Sequence, residues 1–514
     1  MSTDNSNLVA SALRQTDPQL SLLVDAENTW ATTIKERGER IMLFRRYERG
    51  DHRANITTQM KKMLRLGSDN ASGTMDEFCD NYCQLIIEKM ASRLKIADIS
   101  SVDNNEKTEE WLGFIESYVR TNAIFASAFR AAVRDGDSYI LVDPVTLRWV
   151  SEPAFDGTSG MVAVKDVMSN EVIWACKVWV QGSLDSVDST AILMVYQKDK
   201  VSYWKGQAGS NVVEPYNIVP TEPSTEGIEG TVVNTKTWPG GKIPIVTITN
   251  KVDNYSQFGE SELRPVIPLQ DVLNRLLHSM VMASEFSAFV VRWAKGMRLP
   301  VDGIQPGAVL NLVLKDSDGN IISELDEAQV EFLKAVQVGQ FAGTDISQYT
   351  KQIETIVKEI SQTSGTPIYG ITVQGNLSGD ALRQLEIGLV GKVQRFQYQN
   401  EVSIEQLIQL TAEIQKAFAT DQNRSKIPPA PSDLDSIQIS WESAEIMDTT
   451  AGITALVEMR KESPGLWSED FYRRKIGAYL GLSSAEITAS EGEGMPEPLP
   501  PNTELEDSDG RRDE

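Results

Sequence analysis

The sequence predicts an α+β protein in which a mixed helical and antiparallel-sheet body is followed by long helices. Apolar residues recur at three- and four-residue steps at about 20 to 65, 76 to 95 and 107 to 135, which indicates helices. Between 138 and 249, β-branched and aromatic runs alternate with Gly, Pro, Asn and Asp, a pattern typical of an antiparallel sheet. From Glu260 onward, long helical patterns return.

Seven short apolar runs predict the strands, six in the first half of the chain and one near its end. These runs are SYILV (138–142), VIWACKVWV (172–180), AILMVYQ (191–197), VSYW (201–204), GTVVNTK (230–236), KIPIVTIT (242–249) and SIQISWE (436–442).

The second half opens with a long amphipathic helix that starts near Pro265 and runs to about Trp293. Two apolar runs around DSDG, at 308 to 325, predict a β-hairpin, and a short helix follows at 326 to 338. The next helix extends from about 345 to 362, because the proline soon after it disfavours helix in the preceding residue.

A helix of nearly 40 residues is predicted from 380 to about 419, which at 1.5 Å per residue is on the order of 60 Å long. Gly388 and Gly391 lower the helix propensity of its interior, so we predict a bend there. Ser378 is suited to cap the helix, and Asp380 favours its first turn.

The composition is that of a folded protein: 41% of the 514 residues are hydrophobic, and no apolar run is long enough for a membrane span. The N-terminus lacks the features of a secretory signal, so we expect a cytoplasmic origin and no membrane partner. A formal charge of −24 disfavours non-specific wrapping of nucleic acid. The acidic, Pro- and Gly-rich tail at 491–514 is predicted to be disordered.

The stretch GITVQG at 370–375 imitates a phosphate-binding loop but does not meet its requirements. A P-loop needs Lys and then Ser or Thr after its second Gly, and Asn376 and Leu377 stand there instead. The two histidines, His52 and His278, lack any accompanying catalytic motif. We therefore expect no catalytic site, and the protein is not predicted to be an enzyme.

Two further patterns resemble metal sites weakly. Cys79 and Cys83 share a helix face, but no second Cys or His pair accompanies them, so reduced structural thiols are the favoured interpretation. The acidic segment at 316–327 has its Gly two residues too early for an EF-hand, so a hairpin turn is favoured. We predict neither a metal nor a cofactor.

A basic cluster, Arg292, Lys295 and Arg298, follows the first long helix. These side chains could face DNA, another subunit or the negative end of the helix dipole. A solvated or intersubunit role is favoured over contact with nucleic acid.

Five segments resemble the portal proteins of tailed bacteriophages, in the branch common among siphophages of Gram-positive hosts. They are YERGDH (47–52), NYCQLIIEKMASRLKI (81–96), FRAAVRDGDSYILV (129–142), FGESELRPVIPLQDVLNRLLHSM (258–280) and GNLSGDALRQLE (375–386). Their order, over about 40 to 480, carries the resemblance more than any single segment does.

The resemblance implies the portal fold: an α+β wing, long stem helices, a small clip hairpin unit and a helical crown. The implied parts are an N-terminal leader (1–40), the wing (41–259), stem helix 1 (260–294), the clip (295–344), stem helix 2 (345–366), a tunnel loop (367–380), the bent long helix with the wing's return strand (381–445), the crown (446–490) and the acidic tail (491–514).

The resemblance also implies a function: a ring, usually of twelve subunits, at one capsid vertex, through which double-stranded DNA enters and leaves. Its implied partners are the terminase large subunit, the major capsid and scaffold proteins and a head-completion or adaptor protein, in the host cytoplasm during assembly and then in the virion. The loop residues implied to face the channel are Thr372, Val373, Gln374, Gly375, Asn376, Leu377 and Ser378.

Two alternatives remain open from the sequence. A structural capsid or baseplate protein could share this helix and sheet texture without passing DNA. An enzyme that uses carboxylates alone, such as a nuclease or an ATPase, is the other alternative, although so acidic a chain nominates no particular carboxylate pair.

Overall fold

A computed structural model describes a large part of the chain. The described residues are 4–17, 29–52, 79–102, 105–144, 146–166, 169, 171–182, 189–198, 200–209, 214–215, 235–237, 241–252, 256–288, 292–295, 326–340, 345–368, 379–417, 427–431, 434, 437–445, 449–462, 472–473 and 475–477. Helices and antiparallel sheets are mixed among them, which confirms the predicted α+β class.

Helices dominate the second half of the described chain. They are α1 (Ser6–Thr16), α2 (Thr29–Arg49), α3 (Tyr82–Ala91), α4 (Glu106–Val119), α5 (Thr121–Asp135), α6 (Ile267–Ala288), α7 (Glu327–Ala335), α8 (Ser347–Ser364), α9 (Gly379–Ala417) and α10 (Thr449–Glu462).

The strands lie mostly between α5 and α6. They are β1 (Ile96–Ser101), β2 (Asp137–Val142), β3 (Trp149–Pro153), β4 (Gly160–Lys165), β5 (Val172–Gln181), β6 (Thr190–Tyr196), β7 (Lys200–Gln207), β8 (Glu214–Pro215), β9 (Thr235–Thr237), β10 (Ile245–Thr249), β11 (Arg292–Lys295), β12 (Gln337–Gln340) and β13 (Ile437–Trp441).

The largest sheet has the strand order β4-β5-β6-β7-β8, and β9 also pairs with β7. Side chains alternate between the two faces of a strand, so one strand can serve two cores. In β4, Val162 and Val164 join a cluster with Leu8 of α1. Met161, one residue earlier, joins a different cluster with Ile41 of α2. Both faces of this sheet are therefore covered.

Helix α1 lies within the predicted leader (1–40), yet it packs as part of the α+β body. Leu8 and Val9 are fully buried against the large sheet. Asn5 fixes the start of this helix, since its backbone N–H donates to the carbonyl oxygen of Gly157 at 2.7 Å. Burying a Leu or Val side chain contributes about 1.5–3 kcal/mol, which explains why this segment belongs to the body.

A smaller sheet with the order β10-β2-β3 packs beside helices α4 and α5. The sequence predicts one helical block at 107 to 135, and the structure divides it into two helices. Arg120 separates them, because its φ of 60° lies in the left-handed region and interrupts the helical hydrogen bonds.

Helices α6 and α8 correspond to the two predicted stem helices, and between them in the chain β11 and β12 form a short antiparallel pair. Helix α6 ends at Ala288, earlier than the predicted end near Trp293, because Trp293 lies in β11, opposite Gly339 of β12. The sequence FVVRW is β-branched and aromatic, which favours a strand once a partner strand is available. The predicted hairpin at 308–325 lies outside the described residues.

The two stem helices run in opposite directions, because the chain leaves α6 through β11 and returns through β12 to α8. They pack along each other, and Leu273, Val357 and Ile360 are completely buried in the main core. Helix α8 ends at Ser364, followed by Gly365 with φ of 57°, in agreement with the predicted end before Pro367.

Helix α9 is 39 residues long and runs as one α-helix through Gly388 and Gly391. The predicted bend there stays a prediction. After α9, β13 returns to the body and pairs with β1, which lies over 300 residues earlier in the chain. Helix α10 falls in the predicted crown, and the tail at 491–514 lies outside the described residues. None of the described helices combines the length and hydrophobicity of a bilayer span.

Candidate functional site at the joint between body and stem

Residues from all five sequence segments quoted above meet where the body joins the stem. We call this region the joint and define it by residues 47–52, 80–82, 93, 136–137, 259–274 and 386–392. Its contacts are close backbone packing, buried hydrogen bonds and ion pairs.

The centre of the joint is a close approach of two glycines. A Cβ atom built on Gly136 would lie 2.5 Å from the carbonyl oxygen of Gly259, and one on Gly259 would meet the carbonyl oxygens of Gly136 and Asn250. The Gly259 N–H donates to a carboxylate oxygen of Asp137 at 3.0 Å. Only glycine permits this packing, which places the segment before α6 against the end of α5.

Tyr47 links α2 to stem helix α6. Its hydroxyl donates to a carboxylate oxygen of Asp271 at 2.5 Å, and its ring stacks on that of His52 with centroids 4.5 Å apart. Burial raises the pKa of Tyr47, and the hydrogen bond to the Asp271 carboxylate raises it further. Tyr47 therefore stays a neutral donor.

His52 is buried with a relative exposure of 3%, and its Nε2 lies 3.2 Å from the carbonyl oxygen of Asp80. Because a carbonyl oxygen only accepts, Nε2 carries the proton of the neutral ring. Nδ1 has no hydrogen-bond partner among the described residues. Burial lowers the pKa of His52, although the Asp80 carbonyl opposes this shift.

Two amides of α6 hold the chain that precedes α3. The side-chain oxygen of Gln270 accepts from the backbone N–H of Tyr82 at 3.0 Å, and its Nε2 donates to the carbonyl oxygen of Asp80 at 2.8 Å. The side-chain oxygen of Asn274 accepts from the Asp80 N–H at 3.0 Å. Both amides are buried, so these bonds fix the rotation of α6 against the body.

Lys392 of α9 joins three elements at the other side of the joint. Its ammonium group pairs with the Glu262 carboxylate just before α6 and also donates to the carbonyl oxygen of Ser364 at the end of α8. Lys251 lies 2.9 Å from the same carboxylate. A cation at a helix C-terminus also compensates the helix dipole.

The pKa values of this group follow from burial and charge. Burial alone would raise the pKa of Glu262, but the charges of Lys392 and Lys251, with their hydrogen bonds, lower it below its ordinary value. Burial lowers the pKa of Lys392, and Glu262 offsets part of that shift. The carboxylate is therefore held ionised between its two cationic neighbours.

The two helices that flank the predicted tunnel loop are in contact at this point. A Cβ on Gly388 of α9 would lie 3.2 Å from the carbonyl oxygen of Gly365, so the two backbones are in contact. Arg93 donates to the Glu386 carboxylate at 2.9 Å, which ties the first turns of α9 to the body. A groove of about 340 Å³ beside the loop is lined by residues that include Lys358, Pro367 and Leu385.

The family of the chain is identified by comparison of its sequence with models of known protein families. A model of the family described as "Phage portal protein, SPP1 Gp6-like" matches residues 155–468. The chain belongs to this phage portal family. The resemblance predicted from the sequence is thereby confirmed, and membership assigns the chain a structural role as a portal or connector.

The other two comparisons do not assign the chain to a family. No curated protein matches the chain at a significant level. Two similar solved structures are described as the virion of a native gene transfer agent particle and the neck of that particle computed with C12 symmetry. The match to the first covers 85% of this chain and 98% of the other chain, at 10% identity and a TM-score of 0.39. The match to the second covers 77% of this chain and 88% of the other chain, at 11% identity and a TM-score of 0.36. The family assignment depends on the family model alone.

The portal family match begins at residue 155, so three of the five segments lie before it. The structure nevertheless packs those segments against the matched part, through Tyr47 with Asp271, Tyr82 with Gln270, and Gly136 with Gly259. The two regions of the portal chain therefore form one joint.

The site residues predicted from the sequence are only partly described. The channel-facing residues 372–378 and Arg298 lie outside the described residues. Arg292 and Lys295 lie in strand β11, whereas the sequence places them at the end of the first long helix. The group that they face stays a prediction. Gly388 contacts Gly365, whereas Gly391 has open space where a side chain would be.

Several polar residues important to the joint or to α9 were not predicted. Asn400 is completely buried. Its Oδ1 accepts from the Thr249 N–H, and its Nδ2 donates to the carbonyl oxygen of Thr249, both at 2.9 Å. Thr411 accepts from the Trp149 indole at 3.0 Å. One signal in the sequence could have revealed them: polar residues occupy positions on the apolar face of a predicted helix, where each requires a partner.

Proposed function

We propose that the chain assembles into a ring at one vertex of a phage capsid, and that double-stranded DNA is packaged and later released through its central channel. We further propose that the ring docks the terminase large subunit during packaging and head-completion and tail proteins afterwards. Membership of the phage portal family is the observation that carries this proposal.

The architecture supports a conduit. The stem is a two-helix unit fixed to the body by buried hydrogen bonds through Gln270 and Asn274, so it can project without rotating. A conduit must not hold its cargo tightly, because each phosphate neutralised by Lys or Arg adds affinity. The formal charge of −24 fits that requirement.

The joint also supports a channel role for the loop between α8 and α9. Lys392 and Gly388, within α9, contact Ser364 and Gly365 at the end of α8, so the loop connects two helices that are fixed against each other. We propose that this loop lines the channel and contacts passing DNA through polar side chains such as Gln374, Asn376 and Ser378.

Electron microscopy of the purified chain tests the proposal. We expect closed rings with a central hole wide enough for duplex DNA, and rotational averaging then gives the number of subunits, which we propose to be twelve. Procapsids assembled with this chain should package DNA in the presence of terminase and ATP. Monomers or small globular dimers, with no ring at any concentration, would overturn the proposal.

A further inference from the structure

Helix α9 carries an exposed apolar stripe that nothing among the described residues covers. Ile387, Tyr398 and Val402 are 67%, 74% and 54% exposed, respectively. With Gly391, they fall on one side of the helix at steps of four, seven and four residues. We call these four residues the α9 stripe, and it extends over about 22 Å.

The opposite side of α9 is buried, so the stripe is not simply part of a solvated helix. Leu389, Val393 and Phe396 belong to the main core with relative exposures of 0%, 0% and 1%. Gly391 has no atom within 4 Å of where its Cβ would be, which leaves a notch between Ile387 and Tyr398. A notch beside exposed apolar side chains lets a second helix approach closely.

Helix α6 has a second apolar face that has no partner among the described residues. Val272 is 39% exposed and Leu276 is half-buried, while Leu273 on the other side is completely buried against the core. Arg275 is exposed on the same face and has no carboxylate partner among the described residues. We call Val272, Arg275 and Leu276 the α6 outer face.

Helix α8 contacts both of the helices that carry these faces. It packs along α6, and its C-terminal end touches α9 through Gly365 with Gly388 and through Ser364 with Lys392. Each subunit of a closed ring must offer two different faces, one to each neighbour. The α9 stripe and the α6 outer face lie on two different helices, which is compatible with this requirement.

Charge also distinguishes the two faces. Glu401 and Glu405 lie one turn apart beside the α9 stripe, where two like charges at this spacing repel each other. The α6 outer face carries the unpaired Arg275. An acidic pair on one face and a cation on the other fit a contact between neighbouring copies.

We infer that the α9 stripe of one copy packs against the α6 outer face of the next copy in the ring. This inference rests on the proposed ring, and it names the surfaces that hold neighbouring subunits together. A single stretch of about 22 Å buries less than the roughly 800 Å² per partner of a standard interface, so the contact is the apolar centre of a wider one.

Val402→Glu tests the stripe, with Val102→Glu as a matched control, because Val402 and Val102 are 54% and 59% exposed. Mass photometry over a concentration series measures the ring population, and circular dichroism checks folding. We expect Val402→Glu to raise the concentration for half-maximal ring formation about tenfold or more, because a buried carboxylate without a partner is unfavourable. Val102→Glu should assemble like the wild type.

A charge exchange tests the receiving face. Arg275→Glu and Glu405→Arg should each weaken the ring, and the double variant should recover at least part of the wild-type assembly. Recovery supports the assignment of α6, and failure of the double variant to recover overturns that assignment.

Failure of this inference is distinguishable from failure of the proposed function. If the wild-type chain forms rings and Val402→Glu forms them equally well, the α9 stripe is not a subunit contact and the inference is wrong. If the wild-type chain forms no ring, both the proposed function and the inference are wrong.

Discussion

The backbones of Gly136 and Gly259 touch, so that a Cβ atom on Gly136 would lie 2.5 Å from the carbonyl oxygen of Gly259. We expect Gly136→Ala and Gly259→Ala each to lower the free energy of unfolding by about 2 kcal/mol or more, because backbone must move to admit the methyl group. Gly136 also has φ of 96°, which adds strain for alanine. The midpoint of urea unfolding measures both effects.

Gly113→Ala is the control for this pair. Gly113 lies within α4, and no atom lies within 4 Å of the position that a Cβ atom would occupy. Alanine should there be neutral or stabilising by about 0.5–1 kcal/mol. Equal effects at Gly113 and Gly136 would show that close packing is not the cause.

Substitutions in the group of Glu262, Lys392 and Lys251 should lower the free energy of unfolding by different amounts. Glu262→Gln should cost about 3 kcal/mol, because it leaves two partly buried cations without their carboxylate. Lys392→Met should cost less, since Lys251 still neutralises the carboxylate. Urea unfolding midpoints measure the order.

Lys242→Met is the control for that series. Lys242 is about half exposed and lies 3.2 Å from Glu413, so its loss should change stability by less than about 1 kcal/mol. A larger loss from Lys392→Met than from Glu262→Gln would contradict our account of the joint.

The buried hydrogen bonds of Asn400 attach α9 to the body, and their contribution to stability can be measured. Asn400→Leu should lower the free energy of unfolding by about 2–4 kcal/mol, because the N–H and carbonyl of Thr249 lose their side-chain partner in a buried position. Gln352→Ala, at an exposed amide on α8, should change it by less than about 0.5 kcal/mol. Thermal unfolding compares the two, and indistinguishable melting temperatures would refute the prediction.

His52 predicts a dependence of stability on pH. Its folded-state pKa lies below the ordinary 6.5, so below pH 6.5 the unfolded chain binds a proton more readily than the folded chain does. The His52 contribution is therefore complete above about pH 6.5 and is lost as the pH falls, at no more than about 1.4 kcal/mol per pH unit.

The pH prediction is measured as the difference between urea midpoints at pH 7.5 and pH 5.5. His52→Phe retains an aromatic ring beside Tyr47 and removes the titrating group, so we expect a smaller difference than in the wild type. All carboxylates are shared by the two proteins, so their titration cancels in the comparison. An unchanged difference would mean that His52 does not contribute.

Deletion of residues 373–377 tests the loop apart from the ring. We expect rings to form normally, because the contacts of Lys392, Gly365 and Gly388 that hold α8 against α9 remain. Packaging, measured as nuclease-protected DNA in procapsids, should fall. A flexible Gly-Ser replacement of the same five residues separates loop length from side-chain chemistry. Loss of the ring itself would instead make this loop a structural connector.

Much of the secondary structure could be predicted from the sequence, since local periodicity reflects burial. The strands at β2, β5, β6, β7 and β13 lie where β-branched and aromatic runs stand. The strands β1, β3 and β4 were not among the predictions. In β1, the sequence IADISS has little apolar character, and it forms a strand because β13 lies beside it.

The sequence by itself determined the α+β class and the portal family, because these depend on patterns along the chain. The tertiary structure decided the rest. Three features depend on residues that are far apart in sequence. They are the contact of Gly136 with Gly259, the pairing of Glu262 with Lys392, and the pairing of Trp293 with Gly339 that accompanies the early end of α6. No local pattern encodes which distant group will satisfy a buried charge or a close backbone approach, and only the folded chain brings those partners together.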